Sequence, residues 1–323
     1  ALEATGGADT ILFDKTGTLT VGRPQLTDIQ PLSERYSEEE LLNLAASAES
    51  GSEHPLADAI VAEATMRNLS LHTLSTFRNY PGKGIRATID GKTVLVGNSR
   101  FINAQTIMIP DETIQKMRAL EAEAKTVILI IVEGEIEGMF GITDALKATS
   151  AQAVAELQKA GLTTGMLTGD NRLTAEAIAR QAGISEVYAD LLPGDKTGII
   201  KQEQEKGRKV AMVGDGINDA PALTQADSGI AIGTGTDVAI ASASVVVISG
   251  DPLSISQSIR LSKRTLRTIR QNLFWAFIYN VILIPLAAAG YLHPMLAAGA
   301  MSLSSIFVVT NSLRLKSFEK NSK

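Results

Sequence analysis

Asp14 opens the run Asp14-Lys15-Thr16-Gly17-Thr18-Leu19-Thr20, directly behind the apolar stretch Asp9–Phe13. A carboxylate at the tip of a strand, followed by glycine and hydroxyl residues, presents itself to a phosphoryl group. The N–H groups of the turn can cradle the phosphate oxygens. Thr168-Gly169-Asp170-Asn171 stands behind a second apolar run and offers the same phosphate a hydroxyl and backbone N–H groups. Lys196 can neutralise phosphate charge. Gly214-Asp215-Gly216-Ile217-Asn218-Asp219 follows a third run and supplies carboxylates. Oxygen ligands of this kind suit Mg²⁺, which bridges protein carboxylate and phosphate. Asp14 then serves as nucleophile and forms an aspartyl phosphate. A single Gly-Asp pair at a strand end is usually an ordinary turn; several after successive strands of one sheet point to a site.

The elements that must position these groups alternate. Strands are expected at Asp9–Phe13, Leu162–Leu167, Val210–Val213, Ser228–Ile232 and Ser244–Ile248. Helices are expected at Ser150–Ala160, Leu173–Ala182 and Lys196–Lys206. This is the pattern of an α/β protein with a doubly wound parallel sheet, which binds ligands beyond the carboxyl ends of its strands. The pattern breaks between residues 28 and 141. There a capping box, Ser37 with Glu40, precedes the helix Leu41–Ser50, and a second helix starts at Pro55 behind His54. Strand-like runs follow at Gly84–Ile89, Thr93–Val96, Thr126–Val132 and Glu135–Phe140, the first two joined by an Asp90-Gly91 turn. An α+β domain inserted into the first is expected, with helices leading and the first sheet resuming near Ile142.

DKTGTLT, TGDN and GDGINDAP resemble the phosphorylation signatures of the P-type ATPases, which share the haloacid-dehalogenase-like fold. The resemblance implies catalytic roles for Asp14, Lys15, Thr16, Thr168, Gly169, Asp170, Lys196 and Asn218, and Mg²⁺ held by Asp14, Thr16, Asp215 and Asp219. Many phosphatases of that superfamily carry an acid/base aspartate two positions after the nucleophile; here that position is Thr16. General acid–base help is worth about 10²–10⁴ in rate, so its loss lets the phosphoenzyme persist, which suits a pump. The insertion resembles the ATP-binding domain of the heavy-metal subclass through Glu49, Ser52-Glu53-His54-Pro55-Leu56, Gly82-Lys83-Gly84 and Gly97-Asn98. In that reading the glycines admit ribose and phosphates, His54 packs on adenine and Glu49 accepts from its amine. A histidine at a helix start is otherwise a simple cap.

The chain of 323 residues carries a net charge of −5, too small and of the wrong sign for nucleic-acid binding, and its 45% apolar content excludes disorder. It has no cysteine, hence no disulfide and no thiolate site. Beginning at Ala1 without methionine, it reads as a piece of something longer. Residues 273–313 contain no Asp, Glu, Lys or Arg and read as two membrane helices, 273–292 and 294–313, broken at His293-Pro294. Each has 20 residues, ~30 Å of helix. Arg260, Lys263, Arg264, Arg267 and Arg270 precede them and Arg314, Lys316 and Lys320 follow, so both outer ends face the cytoplasm. The expected organisation is phosphorylation domain 1–27 and 142–259, nucleotide-binding domain 28–141, basic juxtamembrane helix 260–272, the two spans, and a tail 314–323. Within the spans Tyr279, Asn280, Met301 and Ser305 are candidate ligands of a transported metal. Soft, neutral donors without a carboxylate favour Cu(I) or Ag(I) over Zn²⁺. The pairing Tyr-Asn with Met-x-x-Ser-Ser resembles the copper-exporting ATPases. That resemblance implies a bacterial plasma-membrane pump whose actuator domain, remaining helices and copper chaperone lie outside this chain, with membrane lipids around it. A membrane-anchored phosphatase of the same fold, a pump for another heavy metal such as Zn(II), and a non-catalytic nucleotide-binding remnant stay open as alternatives.

Overall fold

The structure, a computed structural model, describes residues 1–192, 194–215, 217–233, 237–291 and 294–317. Gly216, Leu292, His293 and Lys320, all part of the sequence reading, lie outside the described residues. In chain order the strands are β1 (Thr10–Asp14), β2 (Gln25–Pro31), β3 (Leu74–Tyr80), β4 (Gly84–Ile89), β5 (Lys92–Gly97), β6 (Thr126–Val132), β7 (Glu135–Thr143), β8 (Thr163–Leu167), β9 (Glu186–Tyr188), β10 (Val210–Gly214), β11 (Ser228–Ile232) and β12 (Val245–Val247). They form two six-stranded sheets. One is parallel throughout, in the order β12-β11-β10-β1-β8-β9. The other is antiparallel, in the order β2-β7-β6-β5-β4-β3.

β1 sits between β10 and β8 and is buried on both faces, which is why it reads as an unbroken apolar run. Ile11 and Phe13 enter one core with Val154, Leu157 and Ile178, while Leu12 enters the opposite core with Met212, Ile200 and Leu223. The helices Ser150–Lys159, Arg172–Ala182 and Asp195–Glu205 cover the sheet close to their expected positions. In the second lobe Glu38–Glu49 and Pro55–Met66 pack on the antiparallel sheet through Leu41, Leu42, Ala45 and Ile60. The capping box forms: Ser37 Oγ accepts from Glu40 N at 3.3 Å, and Glu40 Oε2 accepts from Ser37 N at 2.8 Å. The Asp90-Gly91 hairpin also forms, with both residues at positive φ (50° and 79°).

Two expectations are corrected. Helices do not lead the second lobe: β2 starts at Gln25 and pairs with β7, so the chain enters the second sheet before residue 28 and leaves it after Thr143. The bulge between Leu26 and Asp28 breaks the alternation that would have shown β2 in the sequence. The first apolar helix also stops early. Pro252–Ala288 ends at Ala289 and Gly290, where φ is +78°, and Gly290 N and Tyr291 N bond back to Ala287 and Leu286 carbonyls. A left-handed glycine cap, ahead of His293-Pro294, is the break.

That helix has 37 residues, or ~55 Å. Ile255 and Ile259 at its N-terminal end are fully buried in the core of the parallel sheet, and Ser256 Oγ donates to Glu156 Oε2 at 2.7 Å. Its far half is apolar and exposed, and it is the one helix among the described residues long and apolar enough to cross a membrane. Pro294–Leu313 runs back along it, tied by Asn272 Nδ2 to Ser312 Oγ (2.9 Å), Asn311 Nδ2 to Asn272 Oδ1 (2.8 Å) and the Trp275–Phe307 ring contact.

Loss of one capping-box partner leaves amide donors unsatisfied. Ser37→Ala is therefore expected to destabilise the second lobe by about 1 kcal/mol, read as a lower midpoint in denaturant titration.

Candidate active site

The parallel order places the ends of β1, β8 and β10 side by side, and with them Asp14, Thr168 and the 215–219 turn. Asp14 leaves β1 with extended backbone, and the chain then turns through Gly17 at φ +71°. Carboxylate oxygens of Asp14, Asp215 and Asp219 all lie within 4.8 Å of one another. Lys196, in the first turn of Asp195–Glu205, bridges two of them: Nζ is 2.6 Å from Asp14 Oδ1 and 2.7 Å from Asp219 Oδ1. Burial and the Asp219 charge push the Asp14 carboxyl up to about 7, against the pull of Lys196. Burial and Asp219 likewise raise Asp215. For Lys196 burial alone favours the neutral amine, but Asp14 and Asp219 outweigh it and hold the ammonium above its usual range. A cluster of carboxylates so short of positive charge fits a divalent oxygen-seeking cation, and the all-oxygen donor set is that of Mg²⁺.

Lys15 turns away from Asp14. Its Nζ pairs with Asp170 Oδ2 at 2.7 Å, and this pairing overcomes burial to raise the ammonium. Asp170 N donates to Thr168 Oγ1 at 3.1 Å, so Thr168 and Asp170 form one turn at the end of β8, with Gly169 between them. Thr16 is half-buried in the loop after β1, and Asn218 is exposed beside Asp219.

Two glycines permit this crowding. A Cβ on Gly17 would overlap the Asp215 carboxylate, and one on Gly214 would lie 2.7 Å from Asp219 Oδ2. The loop itself is held by a segment the motif reading missed. Asp144 Oδ1 accepts from Gly22 N at 2.9 Å and Asp144 Oδ2 from Thr20 Oγ1 at 2.5 Å. Lys147 Nζ donates to Gly17 O at 2.5 Å and Gly250 O at 3.0 Å, and Ser150 Oγ to Leu19 O at 2.6 Å. The available signal was an Asp and a Lys three residues apart immediately after a strand, Thr143-Asp144-Ala145-Leu146-Lys147.

The candidate nucleotide residues lie in the second lobe. Glu49 is buried at the end of Glu38–Glu49, and burial raises its carboxyl to about 7, with Ser52 pulling the other way. His54 caps Pro55–Met66, its Nδ1 accepting from Leu56 N at 3.2 Å. Burial keeps its imidazolium disfavoured; Asp58 opposes this and the Lys15 charge from the other lobe adds to it. Glu53 is exposed in the same turn, and Gly51 there packs against the Phe77 ring of β3. The hairpin after β3 holds Gly82, at φ +70°. Gly84, Gly97 and Asn98 also have contacts within the lobe. The two glycines face each other across β4 and β5 under the Phe101 ring, where either Cβ would clash. Asn98 Oδ1 caps Ser99–Ala104 by accepting from Phe101 N at 2.9 Å, while Nδ2 donates to Gly82 O at 3.2 Å. The lobes touch beside the site: Asn171 Nδ2 meets Glu121 Oε1 at 3.0 Å, Thr126 Oγ1 meets Asp170 Oδ1 at 3.3 Å, and Arg100 pairs with Asp190.

In the two apolar helices, Ser305 Oγ donates to the Met301 carbonyl at 3.1 Å and Asn280 Nδ2 to the Ala276 carbonyl at 3.0 Å. Met301 is exposed, and Tyr279 stacks near Trp275. The antiparallel pairing at Trp275–Phe307 places residues 279–280 level with 301–305.

Gly17→Ala is expected to push the Asp215 carboxylate out of the cluster and weaken divalent-cation binding while the chain stays folded, checked by metal titration alongside circular dichroism. Glu49 titrates near 4.5 when unfolded and near 7 when folded. Its protonation stabilises the fold fully below the lower value, and that contribution disappears as pH rises through the upper one. Glu49→Gln is expected to be about 2–3 kcal/mol more stable than the parent at alkaline pH and equal to it in acid, measured by denaturant midpoints across pH.

A model of the haloacid dehalogenase-like hydrolase family matches residues 8–227, and a second haloacid dehalogenase-like hydrolase model matches 197–259. The chain is 49% identical over 315 residues to a copper-exporting P-type ATPase of Bacillus subtilis and 50% identical to one of Staphylococcus saprophyticus. These matches take in 98% of the chain and 39% of each relative, so it spans about two fifths of the curated relatives' length. A crystal structure of a zinc-transporting PIB-type ATPase in its E2.Pi state shares 38% identity with a TM-score of 0.71, over 98% of this chain and 51% of that one. The catalytic domain of the CPx-ATPase CopB-B shares 31% identity with a TM-score of 0.62, over 81% of this chain and 91% of that domain. With its clustered carboxylates at the ends of a parallel sheet and its sequence likeness running through the apolar helices, the chain belongs to the haloacid dehalogenase-like hydrolases and, among them, to the heavy-metal P-type ATPases.

Proposed function

We propose that this chain is the catalytic and C-terminal membrane part of an ATP-driven exporter of Cu(I), or of Ag(I), which works through an aspartyl phosphate. The observation that carries the reading is Asp14 held by Lys196 between Asp215 and Asp219 at the end of β1. ATP enters from the second lobe, with Glu49, Ser52, Glu53 and His54 on one side and Gly82 on the other. An Asp14 oxygen attacks the γ-phosphorus, the bond from that phosphorus to the β,γ-bridging oxygen breaks, and ADP leaves. Lys196 moves its charge from Asp14 to the phosphoryl oxygens, and the Thr168–Asp170 turn donates to them. Asp14, Asp215 and Asp219, with Thr16 beside them, are the groups that would hold Mg²⁺, which when bound neutralises phosphate charge. Thr16 offers no carboxylic acid to hasten hydrolysis, so the ester lasts long enough to be coupled to transport.

Copper is favoured by the names of the relatives near 50% identity and by the donors in the helices, Tyr279, Asn280, Met301 and Ser305, a set without a carboxylate. Zinc is the second reading, on the strength of the zinc-transporting ATPase that superposes on the chain at lower identity. The actuator domain and the other membrane helices of the pump belong to the remaining part of the protein. The catalytic lobes face the cytoplasm of a bacterium, where a copper chaperone delivers the ion, and the helices sit among the lipids of the plasma membrane.

In the complete pump, radiolabelled ATP is expected to leave an acid-stable, hydroxylamine-labile label that Asp14→Asn abolishes. Label surviving that substitution overturns the nucleophile. Lys196→Met is expected to slow labelling by about 10²–10³-fold. Met301→Ala is expected to lower Cu(I) affinity in equilibrium metal binding; unchanged affinity and stoichiometry remove Met301 from the path.

A further inference from the structure

The Thr168–Asp170 turn and Lys196 stand on different elements, yet both must reach one phosphate. A single segment, β9 with residues 190–192, is bonded to both. Its contacts with the turn are main-chain. Thr168 N donates to the Tyr188 carbonyl at 3.0 Å, Leu191 N to the Thr168 carbonyl at 3.1 Å and Asp190 N to the Asp170 carbonyl at 2.8 Å. The fit is close, since a Cβ on Gly169 would lie 3.2 Å from the Leu191 carbonyl oxygen. Toward the helix Asp195–Glu205, Leu192 N donates to Asp195 Oδ2 at 2.8 Å, and the Tyr188 hydroxyl lies 3.0 Å from Glu203 Oε1 and 3.1 Å from Glu186 Oε2.

Glu203 follows Lys196 by seven residues, so both stand on one face of the helix, ~10 Å apart along its axis, with Ile200 between them. Ile200 is buried in the core that holds Leu12 of β1, and the Tyr188 ring packs against that core. Glu203 is 1% exposed. Burial works against its charge, but Lys206, Tyr188 and Arg208 outweigh burial and hold the carboxyl below its usual range. Lys206 Nζ is 2.6 Å from Glu203 Oε1, and Arg208 Nη1 is 2.7 Å from Oε2 while also bonding Glu186.

An apolar side chain would fasten the helix to the sheet at least as firmly as a buried carboxylate. What the polar contact adds is direction. Hydrogen bonds weaken steeply off their preferred angle, so they fix the rotation and axial position of the helix. Phosphoryl transfer is sensitive to both, because a reacting group displaced by 1 Å can cost ~10²-fold in rate.

We propose that Tyr188 is a positioning residue for phosphoryl transfer: its carbonyl fixes the Thr168–Asp170 turn while its hydroxyl, through Glu203, fixes the helix that carries Lys196. The proposal rests on the reading of Asp14 as nucleophile and Lys196 as the cation that meets the phosphate.

The test follows the rate at which the complete pump takes label from ATP in a single turnover, with equilibrium ATP binding and the thermal midpoint measured alongside. Tyr188→Phe keeps the ring and the main-chain bonds and removes the hydroxyl. Labelling is expected to slow about 10-fold with ATP affinity unchanged. Glu203→Gln keeps the shape and removes the charge; it is expected to slow labelling similarly, and the double variant no further. In a Lys196→Met background Tyr188→Phe is expected to change nothing, because the lysine it positions is gone. A role in stability alone would lower the midpoint and slow labelling equally in both backgrounds, and would overturn the proposal. So would labelling at the parent rate in folded Tyr188→Phe and Glu203→Gln. A parent that takes no label, or label that survives Asp14→Asn, would overturn the nucleophile instead, a result separable because it is read without any change at Tyr188.

Discussion

Three carboxylates whose oxygens share a sphere of 4.8 Å, with one lysine between two of them, are the constraint around which this molecule is arranged. Unit charges ~4 Å apart interact by about 4 kcal/mol even at an effective dielectric constant of ~20, so such a cluster persists only where the surrounding fold imposes it. Neighbouring parallel strands impose it here, because β1 and β10 end side by side and each delivers acids at its tip. Burial first, and the Asp219 charge second, lift the Asp14 carboxyl to about 7 against the pull of Lys196.

The supports of the site extend to the long apolar helix. Lys147 joins the Gly17 carbonyl of the phosphorylation loop to the Gly250 carbonyl. Thr149 Oγ1 meets Asp251 Oδ1 at 2.6 Å, and Asp251 caps the long helix by accepting from Leu253 N at 2.9 Å. Ile255 and Ile259 then anchor the same helix in the core before it emerges as an apolar rod. The loop that carries Asp14 and the long apolar helix are thus tied together by a short run of hydrogen bonds.

Legibility in the sequence followed the range of the physics. Local signals held: the apolar run ending at Asp14, the Ser37–Glu40 box and the Asp90-Gly91 turn all appear as read. Strands whose stability is non-local were missed, such as bulged β2, exposed edge strand β3 and three-residue β9. The motif spacing brought Asp14, Lys196, Asp215 and Asp219 to mind, but nothing in it told that Lys15 would turn to Asp170, or that Lys147 would reach the Gly17 carbonyl. At Gly84 and Gly97 the close approach was legible but its partner was not. Within the lobe each meets the neighbouring strand and the Phe101 ring, contacts that are distant in sequence.

The central claim is that Asp14 receives the phosphoryl group and that Lys196 follows the charge. The most direct measurement is a crystal structure of the protein with Mg²⁺ and beryllium fluoride, which mimics an acyl phosphate. The account predicts beryllium bonded to an Asp14 oxygen, Lys196 Nζ shifted from the carboxylate onto a fluorine, and Mg²⁺ against Asp14, Asp215 and Asp219. Fluoride bound elsewhere, with Lys196 still bridging Asp14 and Asp219, would contradict it.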